Sequence, residues 1–308
     1  MKILVTGATG FIGHNLCRAL SDNNHETIAV TRETVKTKKN ITFIQKVIAK
    51  DTDWEGALKD VDIVIHLAGR AHVMHEDSET PYQAYAEINI DATKHLAQQA
   101  ALNGVERFIF LSSIKVNGEW TDLAAFNEID KPQPEDDYGK TKYEAEKFLN
   151  NIAKETGMEV VIIRPPLVYG LGVKANFKRL IQLTQFNIPL PFGSVTNKRS
   201  LIYIGNLIDF IILCISHPEA ANQIFLISDD EDVSTTQLIK YIKAASGKRF
   251  LLIPVSQSLL SCVFKLIGKS TLSDRLLGNL QVDITKAKTL LNWKPPYSVK
   301  EGIERTVK

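Results

Sequence analysis

Apolar positions along the first half of the chain follow two alternating periods. Short runs at Lys2–Thr6, Thr27–Thr31, Ile41–Gln45, Asp62–Leu67, Arg107–Ser112 and Glu159–Arg164 read as strands. The stretches Phe11–Ser21, Gln83–Asn103 and Tyr138–Thr156 place their apolar residues at helical spacing. The runs VDIVIHLA and RFIFLSS are rich in β-branched and aromatic residues with little polar alternation, which predicts strands buried on both faces. Together the pattern predicts an α/β fold, a doubly wound parallel sheet whose strands present a site at their C-terminal ends. After Arg164 the pattern becomes irregular: Pro165-Pro166, Pro189 and Pro191-Phe192-Gly193, then a helix at Gly205–Ser216, a strand at Gln223–Ile227 and a mostly helical tail. Residues 1–165, with 205–228 returning to them, are expected to form the larger domain, and 166–204 with 229–308 a smaller, mostly helical one.

Composition narrows the class. The 308 residues carry a net charge of +2 and no basic stripe with interleaved aromatics, which argues against a nucleic-acid partner. Cys17, Cys214 and Cys262 are scattered without metal-ligand spacing, which predicts neither a disulfide framework nor a zinc site and fits a reducing cytoplasm. The first core strand starts at once, which predicts no signal peptide. The apolar runs Leu207–Ile215 and Leu259–Ile267 fall short of the ~20 residues of a membrane span, although the second reads as a surface-seeking helix.

The segment TGATGFIG, Thr6–Gly13, joins the first strand to the first helix. At that turn Gly7 allows a tight bend, Gly10 a close approach to phosphates and Gly13 close helix–strand packing, while free amides at the helix start favour negative charge. This is a Rossmann-like dinucleotide cradle, with Thr9, Phe11 and Ile12 in the turn and Leu67, Ala68 and Gly69 beyond the fourth strand as further cofactor contacts. The second strand ends Thr31-Arg32, without an acid for the adenosine ribose. Arg32, helped by the cluster Lys36-Thr37-Lys38-Lys39, instead suits a 2′-phosphate, so NADP(H) is favoured over NAD(H).

Two Tyr-x-x-x-Lys spacings occupy one helix, Tyr138 with Lys142 and Tyr143 with Lys147. At ~100° per residue, Tyr138, Lys142, Ala145, Leu149 and Ile152 share a stripe toward the sheet, and the other pair faces away with Asn150 and Lys154. A free tyrosine ionises near ~10, and an adjacent ammonium favours the phenolate needed for proton transfer. Ser113, with Ser112 as its neighbouring competitor, offers a hydroxyl to hold a substrate oxygen.

In order, TGATGFIG, HLAG at His66–Gly69, LSS at Leu111–Ser113, YGKTK at Tyr138–Lys142 and IRPPLVYG at Ile163–Gly170 resemble the extended short-chain dehydrogenase/reductases that act on nucleotide sugars. The resemblance implies a catalytic Ser113, Tyr138 and Lys142, with Lys142 also holding the nicotinamide ribose. It further implies a structural Asn89, a C-terminal helix motif at DITKAKTLLNW, Asp283–Trp293, and Asn176, Arg199 and Arg275 on the diphosphate of a UDP-sugar. His72 and Met74, after the fourth strand, have two readings, sugar contact or packing. Family members often pair through two long helices, which implies a homodimer through Gln83–Asn103 and Tyr138–Thr156. Departures are also visible: Val47-Ile48 stand where relatives have an aspartate near the adenine, Asn117 replaces an aromatic, and Leu167 replaces an asparagine.

Ile114-Lys115 stand where the dehydratases of this family place Asp-Glu, so that chemistry is not expected. The combination of HLAGRAHVM, LSSIKVNGE and IRPPLVYGLGVKANF resembles the UDP-glucose 4-epimerase-like branch, which includes UDP-N-acetylquinovosamine dehydrogenases. This implies NAD(P)H-dependent reduction of the C4 ketone of a UDP-2-acetamido-2,6-dideoxy-4-ketohexose for surface polysaccharide synthesis. The rival readings are a UDP-hexose 4-epimerase with tightly bound NAD and a non-catalytic NADP(H) sensor.

Overall fold

A computed structural model describes residues 1–33, 40–71, 81–173, 175–186, 188–248 and 251–307. Its strands are β1 (Lys2–Thr6), β2 (Glu26–Thr31), β3 (Ile41–Gln45), β4 (Ile63–His66), β5 (Arg107–Leu111), β6 (Glu159–Arg164), β7 (Leu167–Tyr169), β8 (Arg199–Tyr203), β9 (Gln223–Leu226) and β10 (Asp232–Val233). Seven form one sheet in the order β3-β2-β1-β4-β5-β6-β9, and every pairing in it is parallel. The chain direction across the sheet reverses at β1, which lies between β2 and β4. A crevice therefore opens beyond the carboxyl ends of β1 and β4, where Thr6 stands opposite His66.

Side-chain alternation along these strands builds two cores. Ile3, Val5, Ile63, Ile65, Ile109, Val161 and Ile163 point to one face, packed with the helices Phe11–Asp22 and Ile204–Ser216. Leu4, Val64, Phe108, Phe110, Val160 and Ile162 point to the other, against the inward stripes of Ala92–Leu102 and Asp137–Thr156. Helix Ile204–Ser216 is apolar on most of its circumference because it is covered on both sides. A residue with a side chain cannot replace two glycines of the first turn. Gly7 has φ of +68°, in the left-handed region, and a β-carbon at Gly13 would stand 2.2 Å from the Gly7 carbonyl.

The helical pattern at Gln83–Asn103 becomes Pro81–Ala86, a wide turn of π type at Glu87–Asp91, and Ala92–Leu102. The wide turn carries Asn89 inward, and periodicity counted at 3.6 residues per turn passes over it. The region expected to be mostly helical also holds a second sheet, β10-β8-β7, in which β7 and β8 run parallel and β10 antiparallel. β7 and β10, three and two residues long, are too short to leave a periodic signal, and β8 runs directly into helix Ile204–Ser216, whose period masks it. Among the described residues, no helix is long and apolar enough to cross a membrane.

Candidate active site

At the crevice, Gly7, Thr9, Gly10, Phe11 and Ile12 are exposed or half-buried, whereas Gly13 is buried beneath them. Gly10 caps the helix without a side chain, so its first amides face the crevice unclaimed. Leu67, Ala68 and Gly69 leave β4 alongside, and the Ala68 amide donates to Thr6 Oγ1 at 3.2 Å. A β-carbon at Gly7 would meet that amide nitrogen at 2.9 Å. This cradle fits a dinucleotide pyrophosphate, because backbone amides and a helix start converge where no side chain intrudes. Behind it His66 is buried, with its ring nitrogens 2.7 Å from Thr6 Oγ1 and 2.9 Å from Thr93 Oγ1. Burial, reinforced by the Lys142 charge, lowers its pKa to about 3, so it is a neutral post.

Tyr138 and Lys142 rise from helix Asp137–Thr156 on its inward face. Asp136 caps this helix, Oδ1 accepting from the Gly139 amide at 2.7 Å, and Gly157 ends it in the left-handed conformation. Lys142 is 3% exposed; its Nζ donates to the Leu111 carbonyl at 2.9 Å and lies 4.4 Å from the centre of the Phe110 ring. A β-carbon on Gly69 would come within 3.3 Å of that nitrogen, which places the lysine head directly under the loop after β4. Burial lowers the Lys142 pKa to about 7, with Glu146 opposing the shift. Tyr138 is half-buried within hydrogen-bonding reach of Ser113, whose Oγ accepts from the Lys115 amide at 3.3 Å.

Lys142 is expected to favour the Tyr138 phenolate, and the groups packed around the hydroxyl act the other way. Burial, then the Asp136 carboxylate, push the Tyr138 pKa up to about 12, the Ser113 hydroxyl pulls it down, and Tyr85 adds to the rise. The physical reason is desolvation: the phenolate would have low-dielectric walls and a nearby anion, so Tyr138 is held as a phenol.

The neighbouring serines divide their work. Ser112 Oγ donates to Glu146 Oε1 at 2.5 Å, and Glu146 pairs with Arg164 at 2.5 Å, both side chains 2% exposed. Arg164 Nη1 donates to Asn117 Oδ1 at 2.9 Å, and Asn117 Nδ2 to the Asn127 carbonyl at 2.9 Å. Asn117 thus completes a buried polar chain that ties β5, β6 and the helix together. Asn89 acts similarly: it accepts from the Arg70 amide at 2.8 Å and donates to Thr141 Oγ1 at 3.1 Å, fastening the loop after β4 to the Tyr138 helix.

Sequence reasoning noted Lys115 only as a missing acid. Its ammonium lies 2.5 Å from Asp136 and 2.6 Å from Glu119, so it anchors the cap of the Tyr138 helix. Tyr85, also passed over, stands 6.5 Å from the Tyr138 ring, with the Arg70 guanidinium over it at 5.6 Å. The lone signal for either was proximity to a motif.

Two distant arginines converge at the second sheet. Residues 279–282 run along β8, the Leu280 amide donating to Lys198 and its carbonyl accepting from Ser200, which carries helix Ser270–Leu277 and its Arg275 to Arg199. Arg199 Nη1 donates to the Gly278 carbonyl at 3.2 Å. Burial, then the Arg275 charge, lower its pKa against an opposing pull from Glu119. Two like charges near one another suit an anionic group. Asn176 lies in helix Ala175–Gln185, its side chain outside the described residues, and His72, Met74 and Lys36–Lys39 lie outside them altogether. Arg32 is exposed at the end of β2, its carbonyl accepting from Gln45 at 3.0 Å.

Fold and site together define a dinucleotide-binding enzyme of the extended short-chain dehydrogenase/reductase type. Residues 3–228 match the family described as NAD dependent epimerase/dehydratase, and the chain belongs to that family. It is 48% identical over 308 residues to the UDP-glucose 4-epimerase of Vibrio cholerae, covering 99% of this chain and 94% of that protein. Among solved structures it resembles the UDP-glucuronic acid 4-epimerase of Bacillus cereus in complex with NAD, with a TM-score of 0.81, 27% identity and coverage of 100% and 97%. It also resembles the UDP-glucose 4-epimerase of Thermotoga maritima with UDP-glucose, with a TM-score of 0.77, 25% identity and coverage of 100% and 97%.

Proposed function

We propose that this protein moves hydride at C4 of a UDP-linked hexose, as a UDP-hexose 4-epimerase using NAD. The observation that carries the reading is the facing of the Ser113 and Tyr138 hydroxyls beside the buried Lys142 at the carboxyl edge of the sheet. Full-length similarity to the Vibrio epimerase supports the choice of substrate class. Gly7–Gly13, Leu67–Gly69 and Lys142 would hold the dinucleotide, which supplies a hydride acceptor and a positive charge when bound. As the phenolate, which the adjoining positive charges favour, Tyr138 Oη takes the C4 hydroxyl proton and later returns it, Ser113 Oγ holds O4, and Arg199 and Arg275 hold the diphosphate. In this reading residues 1–165 with 205–228 bind the dinucleotide and 166–204 with 229–308 the sugar, supported by β9 joining the large sheet beside β6. Two copies pair through helices Ala92–Leu102 and Asp137–Thr156, and the reaction is cytoplasmic, in keeping with three free cysteines.

A second reading keeps the same site and makes it a reductase, forming UDP-N-acetylquinovosamine for surface polysaccharide. Tyr138, held as a phenol, is already the proton donor that reduction needs. Exposed Arg32 would then meet a 2′-phosphate. NADP preference draws no support from the relatives, and Glu33, exposed one residue later, is a carboxylate suited to ribose hydroxyls.

Denaturing freshly purified protein and identifying the dinucleotide released decides between them. Near-stoichiometric NAD, with C4 epimers formed from UDP-glucose or UDP-N-acetylglucosamine, is the expected result. An empty site that binds NADPH and reduces a 4-ketohexose establishes the second reading. Failure to turn over either sugar class overturns both.

A further inference from the structure

We propose that helix Gln257–Leu266 is a peripheral membrane-docking surface that seats on an anionic lipid bilayer. The inference stands apart from the reading of the active site. The helix packs on its own domain through Leu260 and Phe264, which join Leu190 and Leu252 in one core cluster. Leu259, Cys262, Val263 and Leu266, spaced i, i+3, i+4 and i+7, form a second stripe that faces outward. Leu259 is 56% exposed, Val263 46%, Leu266 81% and the capping Ile267 56%. The neighbouring segments add to it: Leu190 exchanges backbone hydrogen bonds with Leu251 and Ile253, which places exposed Ile188, Leu251 and Ile253 at the same end of the domain. Stretches 186–188 and 251–267 thus hold eight of the seventeen exposed large apolar side chains among the described residues. Scattered exposed leucines need no explanation, but a concentrated stripe does.

Charge selects the occupant. Val233–Ser273 contains six lysines and arginines and no aspartate or glutamate, in a chain whose net charge is +2. Lys265, on the helix, and Lys269, just beyond it, are exposed beside the apolar stripe. An apolar face edged by Lys265 and Lys269, with exposed Arg275 balancing exposed Asp274 on the helix packed beside it, keeps a net positive border that matches the acyl boundary and phosphate headgroups of an anionic leaflet. At ten residues the helix spans about 15 Å, half a bilayer core, so it lies in the interface and does not cross it.

Cys262 provides the probe, since Cys17 and Cys214 are buried. The full chain, labelled there with an environment-sensitive fluorophore, is mixed with phosphatidylcholine vesicles with or without phosphatidylglycerol, and unlabelled protein is tested by flotation. The expected result is a blue shift and flotation with the anionic vesicles. Binding should weaken at least about tenfold in Leu259→Asp or Val263→Asp and about fivefold for each of Lys265→Ala and Lys269→Ala. Sugar turnover and thermal unfolding of the four variants should remain those of the parent. No flotation overturns the proposal, as does flotation that the variants leave unchanged. Self-association that Val263→Asp abolishes, without vesicle binding, also overturns it and assigns the face to a second copy.

Discussion

Helix Asp137–Thr156 carries the same tyrosine–lysine spacing on two faces, and the two pairs have become different chemical objects. Lys142 is buried against Phe110 and the Leu111 carbonyl, with its pKa brought down to about 7. Lys147, five residues on, lies in solvent, 2.6 Å from Glu144 and 5.1 Å from the Tyr143 ring. Sequence spacing is identical, so it cannot be the source of reactivity. What differs is dielectric and neighbours: the inward pair meets Ser113 and the loop after β4, while the outward pair meets water.

The sharpest break in the comparison is kinetic. Tyr138→Phe removes the group that carries the proton and should lower kcat by about 10²–10⁴-fold while dinucleotide binding, read by fluorescence titration, stays unchanged. Tyr143→Phe should leave kcat within about twofold. Equal losses in the two variants would mean that burial does not distinguish the pairs.

Next in size is a trade between stability and activity at the lysines. The folded Lys142 pKa of about 7 lies below its ordinary 10.5, so the unfolded chain binds the extra proton between those values. Wild-type stability contributed by this group therefore rises with pH from about 7 to 10.5 and is lowest below 7. Lys142→Met removes that burden: we expect turnover to collapse and unfolding free energy at pH 7 to rise by about 1–3 kcal/mol, the desolvation gain being offset by the lost Leu111 hydrogen bond. The advantage over wild type should shrink toward pH 10.5. Lys147→Met should move neither quantity by more than about 0.5 kcal/mol. A destabilised Lys142→Met with no pH trend would contradict the desolvation account.

The serines extend the comparison to β5. Ser113→Ala should reduce kcat by about tenfold or more, since its hydroxyl faces Tyr138, and should cost about 1 kcal/mol or less of stability through the lost 3.3 Å cap on the Lys115 amide. Ser112→Ala should do the reverse, costing about 1–3 kcal/mol because buried Glu146 loses a donor, with turnover near wild type. Exchanged outcomes, measured by denaturant unfolding and initial rates, would reassign the substrate hydroxyl to Ser112.

Local rules made part of this site legible in the sequence. The glycine turn was readable because its constraints lie within eight residues, and the inward stripe of Tyr138 because helical period alone decides a face. The two buried sheet faces followed from β-branched runs for the same reason. Partnerships closed by tertiary folding left no such trace. Nothing local ties Lys115 to Asp136, or Asn117 to Arg164, across 21 and 47 positions. Arg199 and Arg275 were named by resemblance alone; their meeting depends on residues 279–282 lying along β8. The wide turn at Glu87–Asp91 escaped because one additional residue per turn is invisible to a fixed period.

The smallest expected effect tests the solvent-facing half of the comparison on its own terms. Lys147 and Glu144 approach to 2.6 Å with side chains 48% and 37% exposed, a geometry that a distance list would count as a strong ion pair. Exposure argues otherwise, because water screens both charges and holding two long side chains together offsets the attraction. A double-mutant cycle with Lys147→Met and Glu144→Gln should therefore give a coupling of about 0.5 kcal/mol or less, falling as salt is raised. Coupling well above 1 kcal/mol and insensitive to salt would show that the outward face is screened less than its exposure implies, and would remove the physical basis for separating the two pairs.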